Sequence, residues 1–146
     1  MSNNDASEGL KAMSKGFRDI VSHVSMSLLS VGGGESVPRT GVRIAQSRIV
    51  SGALEAQQGE RVPVRYSGGG DAIAEVVGFD PGSELVLLSI EEEASVPPIE
   101  LEETLPEVGE LAVTVGFPSV DGIEATMGMV RCVGGATRLP GGRKVD

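Results

Sequence analysis

Short apolar segments separated by turn residues dominate the sequence from residue 26 onward. No helical period occurs between them, which argues against the βαβ units of a parallel sheet. Their nearly even spacing, with glycine-rich turns between them, is typical of an antiparallel barrel or sandwich. The eight segments cover residues 26–31, 41–44, 48–51, 61–66, 72–78, 84–90, 111–117 and 123–133. The sequence therefore predicts an all-β fold with an aliphatic core.

One amphipathic helix is predicted before the strands, over residues 9–24. Its apolar residues recur at steps of three and four, which lines one helix face. They are Leu10, Met13, Phe17, Ile20, Val21 and Val24. Asp5 and Glu8 have the spacing of a capping box, and residues 1–8 are expected to form a flexible N-terminus. The helix is expected to pack on the core; the alternative is an oligomerisation or partner-docking helix.

Composition excludes several functional classes. The chain has 146 residues, one cysteine, one histidine and a formal net charge of −9. A single cysteine cannot form an internal disulfide, and one cysteine with one histidine cannot build the usual kind of zinc site. The negative charge argues against binding to a phosphate backbone, so no nucleic-acid partner is expected. Neither a cofactor nor a metal site is expected.

No targeting or membrane-spanning segment is visible in the sequence. The N-terminus lacks the basic and apolar regions of a signal peptide, and no apolar run approaches the length of a membrane span. The chain is therefore expected to be cytoplasmic, unless an upstream anchor or signal was removed. Residues 91–110 contain eight glutamates and no lysine or arginine. They are expected to form a solvated loop; the alternative is a docking face for a basic partner.

Four segments in order, 17–31, 48–66, 74–90 and 108–118, carry a family pattern. Residues 76–90 read VVGFDPGSELVLLSI, close to the family run VVGxDPxxDLAVLxI. With the other segments they resemble the first half of a trypsin-like serine protease of the HtrA/Deg type, over residues 17–145. The resemblance implies a chymotrypsin-type pair of six-stranded antiparallel barrels. By this resemblance the first barrel lies in residues 25–120, and residues 121–146 lead into a missing or truncated second barrel.

The family's catalytic positions can be transferred residue by residue. The general-base histidine of the family's TNxHV motif falls on Leu54, and the aspartate that orients it falls on Glu84. The nucleophile loop, of the GNSGG type, would follow residues 139–146. A serine hydroxyl needs a base within hydrogen-bond reach, and Leu54 has no proton acceptor. No catalytic residue is therefore expected to be intact.

The resemblance, with these departures, implies a catalytically inactive homologue, a pseudoprotease, or its N-terminal fragment. Such a chain would bind a protein or peptide partner through the helix or over the former cleft near Leu54 and Glu84. The alternative is the N-terminal half of a serine endopeptidase whose nucleophile lies in a part not present here. HtrA/Deg-like proteins are often trimeric through N-terminal segments, so the resemblance also implies a homo-oligomer through the N-terminal helix.

Three single residues are expected to have structural roles. His23 falls at the rim of the apolar helix face, where a partly buried position is expected. Cys132 lies among apolar residues and is expected to be a small core side chain. Glu84 is expected to accept backbone N–H bonds from the turn at residues 80–82.

Overall fold

The computed structural model describes residues 3–32, 37–52, 54, 56–91, 97–119, 122–134, 137–138 and 144–145. Within these residues, one helix, α1 (Asn3–Ser25), precedes ten strands. The strands are β1 (Leu28–Val31), β2 (Arg39–Ala45), β3 (Arg48–Gly52), β4 (Arg61–Tyr66), β5 (Asp71–Asp80), β6 (Leu85–Ile90), β7 (Leu111–Ser119), β8 (Gly122–Met129), β9 (Thr137–Arg138) and β10 (Lys144–Val145). Each of the eight predicted segments overlaps one strand, although β8 ends at Met129 instead of residue 133.

Strands β1 to β6 form a closed antiparallel barrel in the order β1-β2-β3-β6-β5-β4. Pairing of β1 with β4 closes it and places Leu29 opposite Tyr66. A closed sheet leaves no free edge, so each strand has a neighbour on both sides. The expected all-β barrel with an N-terminal helix is therefore confirmed, and the sandwich alternative is excluded.

The barrel interior is filled by side chains from alternate positions of the strands. In β4, for example, exposed and buried residues alternate, and β6 follows the same pattern. The aliphatic core expected from the composition is formed by Leu29, Val31, Ile49, Val62, Val64, Tyr66, Ala72, Ala74, Val76, Val86, Leu88 and Ile90. None of these comes from β2, which instead contributes the buried glycine Gly41. Burial of this apolar surface is the main stabilising contribution to the fold.

Among the described residues, one charged side chain, Arg43 on β2, is fully buried. Its Nε donates a 3.3 Å hydrogen bond to the carbonyl of Ala45, and its Nη2 donates to the carbonyl of Gln46. The carbonyl of Arg43 accepts a 2.7 Å bond from the N–H of Ile99. Because buried polar groups need such partners, Arg43 connects the β2–β3 turn and the backbone at Ile99 to one point of the barrel.

Strands β7 and β8 form a separate antiparallel hairpin beside the barrel. Phe117 in β7 is buried, and its N–H donates a 2.9 Å hydrogen bond to Oγ1 of Thr40 on β2. This bond attaches the hairpin to the barrel. The barrel strands therefore end at Ile90, inside the predicted segment 25–120, and β7 pairs with β8 instead of joining them.

Helix α1 begins earlier than predicted. It starts at Asn3 instead of residue 9, so Asp5 and Glu8 lie inside the helix and do not form its capping box. The reason is that the first two turns are polar, so the apolar period that marked the helix starts only at Leu10. The helix packs beside β7. No helix among the described residues is long and apolar enough to cross a membrane.

An exposed ion pair closes the β4–β5 hairpin. Arg65 donates from Nε to Oδ1 of Asp71 at 2.6 Å and from Nη2 to Oδ2 at 3.1 Å. The hydrogen bond from Arg65 lowers the pKa of Asp71 below its usual value. The pair therefore stabilises the fold above the ordinary carboxyl pKa, and its contribution is lost as the pH falls through the lowered value. The contribution is small because both groups are solvated.

Candidate functional site

Strand register brings Leu54 and Glu84 to the same end of the barrel. Strands β3 and β6 are neighbours, and Gly52 at the end of β3 pairs with Leu85 at the start of β6. Leu54 lies two residues after Gly52, and Glu84 lies one residue before Leu85. The two positions predicted to correspond to a protease's base and its orienting carboxylate are therefore set by adjacent strand ends.

The side chain of Leu54 is half-buried and packs against the barrel core, as Ala56 does. A hydrocarbon side chain offers no lone pair, so it can neither accept a proton nor fix the tautomer of a neighbouring imidazole. What it can do is contribute apolar surface. Its two neighbours, Ala53 and Glu55, lie outside the described residues.

Glu84 is exposed and adopts an unusual backbone conformation, with a φ angle of +58°. That region is disfavoured for residues with a β-carbon. The preceding turn holds it there. The carboxylate of Asp80 accepts bonds from the N–H groups of Gly82 and Ser83, at 3.0 and 3.1 Å, and from Oγ of Ser83 at 2.6 Å.

The expectation that Glu84 accepts the backbone bonds of this turn is therefore wrong, because Asp80 accepts them. An aspartate before Pro-Gly commonly bonds to N–H groups two and three residues ahead, and that signal was present in the sequence. With the turn already held by Asp80, the carboxylate of Glu84 is left at the surface of the site.

A shallow apolar groove lies directly beside Glu84. It has a volume of about 350 Å³, and its apolar lining includes Val50, Phe79, Leu85 and Leu87. Phe79 is 52% exposed and Leu85 is 44% exposed. The groove lies next to the register shift between Val76 and Gly78, where the alternation of exposed and buried side chains along β5 is interrupted. Sequence reasoning missed the groove, because the position of such a bulge is not visible in an apolar run.

Comparison with known proteins identifies the family. A family model described as the trypsin-like peptidase domain matches residues 39–144. The chain belongs to the trypsin-like peptidase family. The trypsin-like character inferred from the sequence is thereby confirmed. No curated protein matches the chain.

Among solved structures, this trypsin-like domain is similar to the crystal structure of the serine endoprotease from Yersinia pestis, with a TM-score of 0.67 and 21% sequence identity. The similarity covers 78% of this chain and 43% of the Yersinia chain. The domain thus spans less than half of that relative. A likeness at this identity supports the fold, whereas function depends on the residues of the site. The assignment of catalytic positions to Leu54 and Glu84 stays a prediction.

Two expectations about single residues of this trypsin-like domain are wrong. His23 is exposed, because α1 turns its half-buried residues toward β7 and leaves His23 at the surface. Cys132 is also exposed, because it follows the end of β8, where no described strand covers it. Neither residue therefore belongs to the core, and neither lies at the strand ends that carry Leu54 and Glu84.

Two further features of a possible active site are a metal centre and the predicted nucleophile loop. Among the described residues of the trypsin-like domain, no group of three or more His, Cys, Asp or Glu residues is placed to hold a metal ion. Residues 139–143 and 146, which precede the predicted position of the nucleophile loop, lie outside the described residues. The site therefore consists of an apolar side chain, an exposed carboxylate and an apolar groove.

Proposed function

We propose that this chain is a catalytically inactive, HtrA/Deg-like member of the trypsin-like family, or the N-terminal fragment of one, that acts by binding a protein. The observation that carries the proposal is Leu54, which is half-buried against the barrel core at the position where the resemblance puts the general base. A leucine cannot take a proton from a serine hydroxyl. Loss of the histidine from such a triad lowers kcat by roughly six powers of ten.

The surface beside Glu84 suits a protein contact. Phe79 and Leu85 expose large apolar areas in a groove at the same barrel end as Glu84. Exposed apolar patches with a polar rim are typical of sites that bind protein segments. We infer that the groove takes an apolar segment of a partner, and that Glu84 at its edge favours a basic residue next to that segment.

The 146-residue chain is expected to cleave no unfolded casein and to react with no fluorophosphonate probe, because both need an activated serine. The Leu54→His variant is expected to stay inactive, since the 146 residues contain no GNSGG-like loop. Gel-based casein cleavage and probe labelling provide the measurements. Casein turnover that survives repeated purification and disappears in Glu84→Ala would contradict the proposed inactivity.

Partner binding is expected to depend on the groove. The Phe79→Ser/Leu85→Ser variant should bind fluorescently labelled, unfolded casein at least about tenfold more weakly than wild type, because truncated apolar anchors commonly cost this much. The matched control is Ile73→Ser, since Ile73 on β5 is 49% exposed but does not line the groove. Fluorescence anisotropy measures the affinities, and circular dichroism checks the fold. Equal affinity in the groove variant and wild type would exclude this surface as the binding site.

A second function is favoured by one observation. The similarity covers 43% of the Yersinia endoprotease chain, which supports the alternative that this chain is the N-terminal half of a serine endopeptidase whose nucleophile lies in a further segment. The reading frame downstream of Asp146 distinguishes the two proposals. A GNSGG-like loop there, together with casein cleavage by the longer protein, would support the endopeptidase, whereas a longer protein that stays inactive would support the binding function.

A further inference from the structure

A cavity lies between the C-terminal end of α1 and the segment 97–102. It has a volume of about 400 Å³, which is within the range of sites that bind small molecules. No residue lines both this cavity, called the α1 cavity below, and the groove beside Glu84. It is therefore a second concave surface of the domain. Its lining includes His23, Val24, Ser27, Ile99, Glu100 and Glu102.

Backbone hydrogen bonds of Arg43 hold the two walls of the α1 cavity together. The N–H of Arg43 donates to the carbonyl of Ser27 at 2.9 Å, and the carbonyl of Arg43 accepts a 2.7 Å bond from the N–H of Ile99. Pro97 and Pro98 precede Ile99, and their rings restrict the backbone angle φ of that wall. Both walls are therefore attached to β2 before any ligand binds, which lowers the conformational entropy lost on binding.

One buried hydroxyl group of the α1 cavity is free to bind a ligand. Ser27 is 4% exposed, and it lines the cavity. Its backbone N–H donates to the carbonyl of Val24 and its carbonyl accepts from Arg43, whereas its Oγ forms no hydrogen bond with any described residue. Buried polar side-chain atoms usually have a partner. The free Oγ therefore points to a polar ligand atom in the cavity.

The charges around the α1 cavity favour a cation. Glu100 and Glu102 line it with exposed carboxylates, and neither forms an ion pair with another described residue. Helix α1 ends beside the cavity at Ser25, and the C-terminal end of a helix carries a partial negative charge. No lysine or arginine is among the described residues that line the cavity. A positively charged ligand would therefore be attracted from two sides.

The remaining surface of the α1 cavity is apolar. It includes Val24, Ile99 and Leu101, and Leu101 is 74% exposed. A cation that carries an aliphatic chain would contact both kinds of lining, because its carbon atoms can cover these side chains while its charge stays beside the carboxylates. A fully hydrated inorganic cation would leave the apolar part uncovered.

We propose that the α1 cavity binds an aliphatic ammonium group. The nitrogen donates to Oγ of Ser27 and lies near the carboxylates of Glu100 and Glu102, and the carbon chain packs against Val24 and Ile99. Lysine side chains and free diamines share this chemistry. Of the described glutamates in residues 91–110, Glu100 and Glu102 line the cavity, so the proposal concerns a defined site and not the acidic segment as a whole.

The test follows the only histidine of the chain by proton NMR. His23 lines the α1 cavity, so the imidazole C–H signals report on occupancy without ambiguous assignment. Titration with cadaverine, a five-carbon diamine, at constant pH is expected to shift these signals to saturation. Pentanediol, which has the same carbon chain without the charges, is expected to shift them little. The affinity for cadaverine should fall as sodium chloride is added, because salt screens exposed charges.

Two variants test the residues assigned to the ammonium group. Ser27→Ala is expected to bind cadaverine about tenfold more weakly, because a hydrogen bond to a charged group is lost. Glu100→Gln/Glu102→Gln should also lose about tenfold at low salt, and it should keep the fold because both residues are exposed. The matched control is Glu107→Gln/Glu110→Gln, which removes the same charge from exposed positions outside the cavity. Circular dichroism verifies the fold of each variant.

Saturable cadaverine binding that is weakened in both cavity variants and unchanged in the control would support the proposal. The same titration with Nα-acetyl-lysine methylamide distinguishes the sources: binding of this compound supports a lysine side chain of a protein, and binding of cadaverine alone supports a free diamine. Absence of saturation would overturn the proposal, as would equal shifts with pentanediol or equal weakening in the control variant. Such a failure leaves the groove beside Glu84 unaffected, because none of its residues is changed.

Discussion

Replacing Leu88 with alanine is expected to lower the free energy of unfolding by about 3 kcal/mol. Leu88 lies in the middle of β6 with no solvent exposure, opposite Ile49 on β3 and Val76 on β5. Truncation removes three buried carbon atoms and leaves a cavity that the neighbouring strands of a closed barrel cannot fill without losing their register. Urea unfolding followed by circular dichroism measures the change, as a shift of the midpoint at constant m-value.

The matched control for Leu88→Ala is Leu85→Ala in the same strand. Leu85 is 44% exposed, so the same truncation there is expected to cost less than about 1 kcal/mol, since it removes less buried surface. If Leu88→Ala lowered the free energy of unfolding no more than Leu85→Ala does, this result would contradict the inward direction of the Leu88 side chain. Because Leu85 lines the groove, its effect on casein binding should be larger than that of Leu88→Ala at temperatures where both variants are folded.

The positions of the strands could be predicted from the sequence because their signals are local. In β4 the exposed and buried residues alternate, as the alternation of polar and apolar residue types over 61–66 predicts. Glycine turns mark the limits of several strands. Closure of the barrel is different. It depends on the pairing of β1 with β4, including Leu29 with Tyr66, and two strands so far apart in the chain carry no local signal of their pairing. Periodicity therefore left barrel and sandwich open, and the family resemblance favoured the barrel.

The candidate site could be predicted in part. Leu54 and Glu84 were selected by resemblance, and the pairing of Gly52 with Leu85 places them at the same barrel end. The groove lined by Phe79 was not predicted, because it depends on a register shift that an apolar run conceals. The exposure of Cys132 was not predicted either. Apolar neighbours in sequence indicate burial only when another element covers the strand, and that depends on tertiary structure.

Replacing Gly41 with alanine is expected to lower the free energy of unfolding by about 2 kcal/mol, because the added β-carbon overpacks the barrel. It would lie 2.5 Å from Cγ2 of Val31 and 2.9 Å from Cγ2 of Ile49. Since β2 is paired on both sides, it cannot move outward to relieve these contacts. The control is Gly52→Ala, where the new atom meets nothing within 4 Å and the change is expected to be neutral.

A double-mutant cycle tests whether this overpacking is the cause of the loss. Val31→Ala alone creates a cavity, but in combination with Gly41→Ala it removes the methyl group that the new β-carbon meets. The two changes should therefore couple favourably, with the double variant about 1 kcal/mol more stable than the sum of the single losses predicts. Strictly additive losses of unfolding free energy would mean that the destabilisation by Gly41→Ala does not arise from the contact with Val31. Favourable coupling would instead explain why β2, alone among the barrel strands, faces the core cluster with a glycine, since Val31 and Ile49 occupy the space that its side chain would need.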